Sequence, residues 1–210
     1  LQTEERHSKT AALSAKDIWF RYDKEDDFVL KGLAIEIMQG ETHCILGGNG
    51  SGKSTMLGVL CGLLKPARGT VRRAENLRTA LLMQNPKTMF VGDTLRADLM
   101  ENAKAFGYTQ QSMEDAARTF GLVHLLERHP YDLSGGEKQK AAIVKLLLLR
   151  PNVLLLDEPT KGIDAFAKDE LAQILKRMTA DGVAVVIVTH DLEFAASYAD
   201  RCSMLFGGDV

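Results

Sequence analysis

Cysteine is sparse in this chain: Cys44, Cys61 and Cys202 are the only three in 210 residues, an odd number with no C-x-x-C spacing. That sets aside a disulfide framework and a cysteine metal centre, and the three thiols read as small buried apolar side chains in a reducing cytosol. Long hydrophobic runs are missing too. Ile143-Val144 followed by Leu146 to Leu149, and Val183 to Val188, fall far short of the about 20 residues that cross a bilayer. The opening Leu1-Gln2-Thr3-Glu4-Glu5-Arg6 lacks the basic-then-apolar pattern of a secretory signal. It also lacks an initiator methionine, which suggests a segment of a longer polypeptide. Charge excess is absent as well. With 26 basic and 28 acidic residues the net charge is −2, so no global positive field draws nucleic acid.

What is present is globular. Apolar residues make up 45% and charged residues 26%, which excludes disorder and collagen-like repeats. The length suits one domain with small subdomains and a substantial core. Residues 1–12 are polar and aperiodic and read as a tail ahead of a domain over 13–210. Short apolar runs at Thr42 to Leu46, Thr79 to Met83, Val153 to Leu156 and Val183 to Val188 fit strands covered on both faces. Helical stretches lie beside them. One runs from Lys53 to Leu63. Another carries Phe166, Leu171, Ile174, Leu175 and Met178 as an apolar face, with Asp164 as its cap. Alternating strands and helices argue for a mostly parallel α/β sheet. Residues 13–40 read as short strands forming an antiparallel edge, and 88–132 as an inserted, largely helical lobe.

Each of the four apolar runs is followed by a glycine or a polar group: Gly47, Gln84, Asp157 and Thr189-His190. Ligands of parallel α/β sheets bind beyond the carboxyl ends of the strands, so these four ends predict one shared site. Gly47-Gly48-Asn49-Gly50-Ser51-Gly52-Lys53-Ser54-Thr55 satisfies G-x-x-x-x-G-K-[ST] between a strand and a helix. Its glycines let successive amides turn toward phosphate oxygens at a helix N-terminus. Lys53 is expected to reach the β- and γ-phosphates, and the Ser54 hydroxyl to ligate Mg²⁺. No N-K-x-D sequence occurs, which weighs against guanine recognition.

Val153-Leu154-Leu155-Leu156-Asp157-Glu158-Pro159 places two carboxylates at a strand end. Asp157 is expected to hold Mg²⁺, and Glu158 to orient or deprotonate an attacking water. His190 is expected to donate to the γ-phosphate. Gln84 is expected to contact Mg²⁺ or the water. Leu133-Ser134-Gly135-Gly136-Glu137-Lys138-Gln139 precedes a helical run from Lys140 to Leu149. A capping box accounts for Ser134 and Glu137. It leaves Gly135 and Gly136 unexplained, because paired glycines weaken a helix start unless a backbone must come close to something.

These motifs together resemble the nucleotide-binding domain of ABC ATPases, over about Leu13 to the C-terminus, with Leu133 to Gln139 in the place of the family signature. The resemblance implies a RecA-like P-loop NTPase core, an antiparallel β subdomain and a helical subdomain over about 88–150. It implies ATP and Mg²⁺ held between two such domains, with Lys53 of one and Ser134, Gly135 and Gly136 of the other on the same nucleotide. Tyr22 matches the aromatic that stacks on adenine, and Asp164 the aspartate of the loop that communicates across the dimer. That loop more often reads S-x-L-D, so Lys161 and Gly162 depart from it. Gln84-Asn85-Pro86, Phe90 and the stretch Thr94 to Leu99 look most like energy-coupling-factor importers of vitamins and metal ions. The implied protein is an ATPase on the cytoplasmic face of a membrane, meeting a transmembrane partner through a groove near Gln84 to Phe90. Two other readings stay open: a soluble ABC ATPase of DNA repair or translation, and a half that binds ATP with little hydrolysis.

Overall fold

The computed structural model describes residues 10–210. The tail expected over 1–12 therefore lies mostly outside the described residues, and the first strand is already under way at Ala11. In chain order the elements are β1 (Ala11–Phe20), β2 (Leu30–Met38), β3 (Thr42–Leu46), α1 (Lys53–Cys61), β4 (Arg68–Arg73) and β5 (Thr79–Leu82). The helices α2 (Leu95–Met100), α3 (Ala103–Phe106), α4 (Gln110–Thr119) and α5 (Gly135–Leu147) follow. The chain returns through β6 (Val153–Asp157), α6 (Ala165–Ala180), β7 (Ala184–Thr189), α7 (Leu192–Tyr198) and β8 (Arg201–Met204).

Five strands form one sheet in the order β5-β6-β7-β3-β8, every neighbouring pair parallel. β6 and β7 are buried along their whole length, as their unbroken apolar sequences require. Alternate residues feed two cores. Leu154, Leu156, Val185 and Ile187 pack with α5, α6 and the helical lobe. Val153, Leu155, Val186 and Val188 pack with α1 and a second sheet. Each such side chain contributes about 1.5–3 kcal/mol on burial, so these strands are the anchor on which the sheet's rim is built.

That second sheet is β2-β1-β4, antiparallel throughout. Residues 13–40 are thus part of a separate layer and not an edge of the main sheet. The reason is in the pattern: β2 buries Leu33, Ile35 and Ile37 while Lys31 and Glu36 stay wet. A strand with one wet face cannot sit in a sheet covered on both.

In α6 the Asp164 carboxylate accepts from the Ala167 amide at 2.8 Å and caps the helix. Leu171, Ile174, Leu175 and Met178 are buried, but Phe166 is 72% exposed. At 3.6 residues per turn Phe166 lies roughly 140° round the helix from Leu171, so it never belonged to that face. The cysteines also diverge. Cys44 is buried with its thiol pushed up to about 12, chiefly by burial, whereas Cys61 is half-buried and Cys202 exposed.

Candidate functional site

The turn from β3 into α1 is wound tightly. Gly52 caps α1 at φ 99°, a left-handed conformation that side chains disfavour. A Cβ on Gly47 would stand 2.6 Å from Ser51 Oγ and 2.8 Å from the Leu205 carbonyl, so the backbone has room only for hydrogen there. Lys53 is buried inside the turn, and its ammonium donates to the Gly47 carbonyl at 2.7 Å and the Gly48 carbonyl at 2.9 Å. Folded, it braces its own loop, because a desolvated ammonium must find acceptors and the curled backbone supplies two. Ser51 Oγ is buried with no hydrogen-bond partner among the described residues, a polar atom in the cradle awaiting one.

Tyr22, Asn49, Gly50, Gly52, Lys53, Ser54, Thr55, Gln84, Asp157 and Glu158 line a single cavity of about 500 Å³. Parallel strands deliver them. Adjacent β5, β6, β7 and β3 end on one rim; of the four strand-end groups foreseen from sequence, Gln84 and Asp157 line the cavity, and Gly47 and Thr189-His190 do not. Tyr22 reaches the cavity from the loop between β1 and β2, its hydroxyl 2.9 Å from Thr55 Oγ1 and its ring edge-on to Phe20. Val29 and Lys161 line the cavity unforeseen. Lys161 carried a signal, standing three residues after Glu158, where its amide donates to the Glu158 carbonyl at 3.1 Å.

Burial pushes the Asp157 carboxyl above its ordinary range, against a hydrogen bond from Ser54 that favours the charged form. A hydroxyl and a carboxylate oxygen side by side, with the Gln84 amide on the same cavity, are hard donors that fit Mg²⁺ together with phosphate oxygens. Glu158 sits at φ 50°, a strained conformation for a residue with a side chain. Its amide donates to the Val188 carbonyl at 2.9 Å, and its Oε2 accepts from Thr189 Oγ1 at 3.2 Å. His190 Nδ1 stands 2.9 Å from the same Oε2. The register explains the meeting: Asp157 pairs with Val188, so the next residues of both strands are neighbours. His190 is largely exposed and does not itself line the cavity; it reaches the site through Glu158.

The remaining candidates lie elsewhere in the chain. Ser134 caps α5, with its amide donating to Glu137 Oε2 at 2.7 Å and its Oγ accepting from the Glu137 amide at 3.3 Å. Hydrogen bonds from the Ser134 amide and then its hydroxyl hold the Glu137 carboxyl below its ordinary range. The helix begins at Gly135, not at Lys140, so both glycines form its first turn. Ser134 and Gly135 are exposed, and among the described residues no acceptor meets the amides of Gly135 or Gly136. A Cβ on Gly135 or Gly136 would meet only Gly162 O at 3.7 Å or Ile163 Cγ2 at 3.6 Å, ordinary contacts. Nothing among the described residues therefore demands glycine at the tip. Asp164, beside that contact, faces solvent as a helix cap. Around the segment from Gln84 to Phe90, Phe90 is buried, while the flanking Met83 and Val91 are exposed.

Residues 30–161, more than half of the chain, match the family described as ABC transporter. A putative ABC transporter ATP-binding protein of Bacillus cereus is 38% identical over 220 residues, which cover 98% of this chain but 40% of the relative. The chain thus spans about two fifths of that relative's length. An energy-coupling factor transporter ATP-binding protein of Geobacillus kaustophilus is 35% identical over 214 residues, 94% of this chain and 76% of the relative. A solved structure described as a dimeric bacterial ABC transporter cassette superposes with a TM-score of 0.84 at 26% identity, over 94% of this chain and 96% of that one.

Proposed function

This chain belongs to the ABC transporter family, and from that premise we propose that it binds and hydrolyses ATP as the ATPase unit of a membrane importer. The importer is of the energy-coupling-factor type and carries a vitamin or a metal ion. One observation carries the reading: Lys53, Ser54, Asp157 and Glu158 share a cavity, and His190 sits against Glu158.

The chemistry follows from the groups in hand. The triphosphate lies against the amides of Gly48 to Thr55, with the ammonium of Lys53 beneath them. The Tyr22 ring stacks on adenine. Ser54, Asp157 and Gln84 hold Mg²⁺, which neutralises charge on the β- and γ-phosphates when bound. Glu158 accepts a hydrogen bond from the attacking water and takes its proton. His190 orients Glu158 through Nδ1, leaving Nε2 to face the γ-phosphate. A second domain of the same family, identical or not, brings Ser134, Gly135 and Gly136 of its own α5 onto the open side, and the Asp164 loop touches across the pair. The free amides of that tip and the positive end of α5 suit an anion that this chain does not itself place there.

Among the described residues no helix is long and apolar enough to cross a membrane. Attachment to the cytoplasmic face runs through a transmembrane partner, which docks over exposed Met83 and Val91 beside Gln84. The residues 13–210 act as one ATPase domain, in which 88–150 form the helical subdomain. The test is Glu158→Gln. ATP binding is retained, turnover falls about 10²–10⁴-fold, and ATP drives stable association visible by light scattering. Turnover at the parent rate in that variant overturns the reading.

A further inference from the structure

Outside the cavity, an ion cluster lies buried beneath the segment that follows Gln84. Lys145 stands in the last turn of α5. Its ammonium is 3.0 Å from Asp98 Oδ1 of α2, 2.8 Å from Glu101 Oε2 and donates to the Met89 carbonyl at 2.7 Å. The Asp98 side chain is fully buried and accepts from the Val91 amide at 3.0 Å and the Gly92 amide at 3.2 Å. The Phe90 ring lies under the ammonium at 5.8 Å. One cation and one carboxylate thus fix the backbone of residues 89–92 to both α2 and α5.

Stability alone is a poor reason for such a pair, since apolar side chains of similar volume serve a core as well. What apolar side chains cannot supply is direction: three backbone groups of one segment are each held by an aimed hydrogen bond. The same helix carries Ser134 at its other end, about 16 Å away at 1.5 Å per residue. A stiff rod therefore connects the clamped segment to the tip.

We propose that Lys145 and Asp98 are positioning residues that lock α5 to the segment that follows Gln84, so that contacts made at Gln84 and passed along that segment set where Ser134, Gly135 and Gly136 are presented to a second domain. This rests on the proposed ATP sandwich. The pair has no contact with nucleotide; it acts through the helix.

The experiment compares the full chain with Lys145→Met/Asp98→Leu, which removes the buried cation and the buried carboxylate together and leaves only the half-exposed Glu101 to solvent. It measures melting temperature, affinity for a fluorescent ATP analogue, kcat and KM, and ATP-driven association in the Glu158→Gln background. The expected result is a folded chain with a lowered melting temperature, because three backbone groups lose their partners, and analogue affinity within about twofold. Turnover falls, and the protein concentration needed for association rises, about tenfold each, within the ordinary range of coupling between two sites. Asp98→Asn, which keeps the volume, gives the same split at about threefold and decides the matter where the double variant does not fold. Turnover and association at parent levels, or analogue affinity lost in step with kcat, overturn the positioning role. A Glu158→Gln parent that does not associate with ATP overturns the pairing of two copies of this chain, and this inference with it; one that associates beside a variant that associates equally well overturns the positioning role alone.

Discussion

The cradle and the α5 tip both present bare glycine backbone, and they do so for opposite reasons. At Gly47 any Cβ would collide with Ser51 Oγ and the Leu205 carbonyl, so the chain's own winding excludes a side chain. At Gly135 and Gly136 the nearest atoms lie at 3.6–3.7 Å, and a methyl group would fit. In the cradle the charged side chains are already partnered, Lys53 by its loop, Asp157 by Ser54, Glu158 by Thr189 and His190, while the buried Ser51 Oγ has no partner among the described residues. The tip is unfinished, with two helix-end amides lacking acceptors among the described residues. A glycine that its own fold requires says nothing of partners, whereas one that its own fold does not require directs attention outside the chain.

Substitution by alanine separates the two. Gly47→Ala is expected to cost about 1–3 kcal/mol of stability through overpacking and to weaken ATP binding about 100-fold, by thermal melting and fluorescent-nucleotide titration. Unchanged affinity would place the cradle's tightness outside its function. Gly136→Ala is expected to do the reverse. The helix gains about 0.5–1 kcal/mol, because glycine is the costlier residue in a helix, yet turnover drops about tenfold while binding by the isolated chain holds. A destabilised Gly136→Ala would erase the contrast.

The smallest effect sharpens the cradle side. The folded chain keeps the Asp157 proton to higher pH than the unfolded chain does. Ionisation therefore takes stability away as pH rises from the ordinary carboxylate range through the raised value. Asp157→Asn retains an acceptor for Ser54 and removes that loss. Its melting temperature should exceed the parent's at pH 7 by less than the Gly136→Ala gain, with the difference closing toward pH 3, and Mg²⁺-dependent ATP affinity should fall. A variant less stable at neutral pH would show that the carboxylate is held for structure.

Much of this was legible in the amino-acid order because its signals are local. β3, β5, β6 and β7 lie within a residue of their apolar runs at either end, the Asp164 cap and the Ser134–Glu137 box form as spaced, and the phosphate loop sits between its strand and helix. Long-range outcomes were not legible. The pairing of β1 with β4 brings together residues 49–60 positions apart, and no spacing rule announces it. Lys145 and Asp98 meet across 47 positions. Phe166 was legible and misjudged, since its helical angle already set it off the buried face. That Lys53 also braces its own loop was not legible, because desolvation, unseen in a motif, decides which acceptors an ammonium must find.

The central claim is that the tip of one domain completes the nucleotide site of another. Mixing tests it most directly: Lys53→Ala, with a damaged cradle and a sound tip, is combined with Gly136→Asp, with a sound cradle and a damaged tip. Each variant alone should be silent. Together they should recover roughly a quarter of parent turnover, since half of randomly paired dimers are mixed and each mixed dimer holds one intact site. A mixture as silent as its parts would contradict the account.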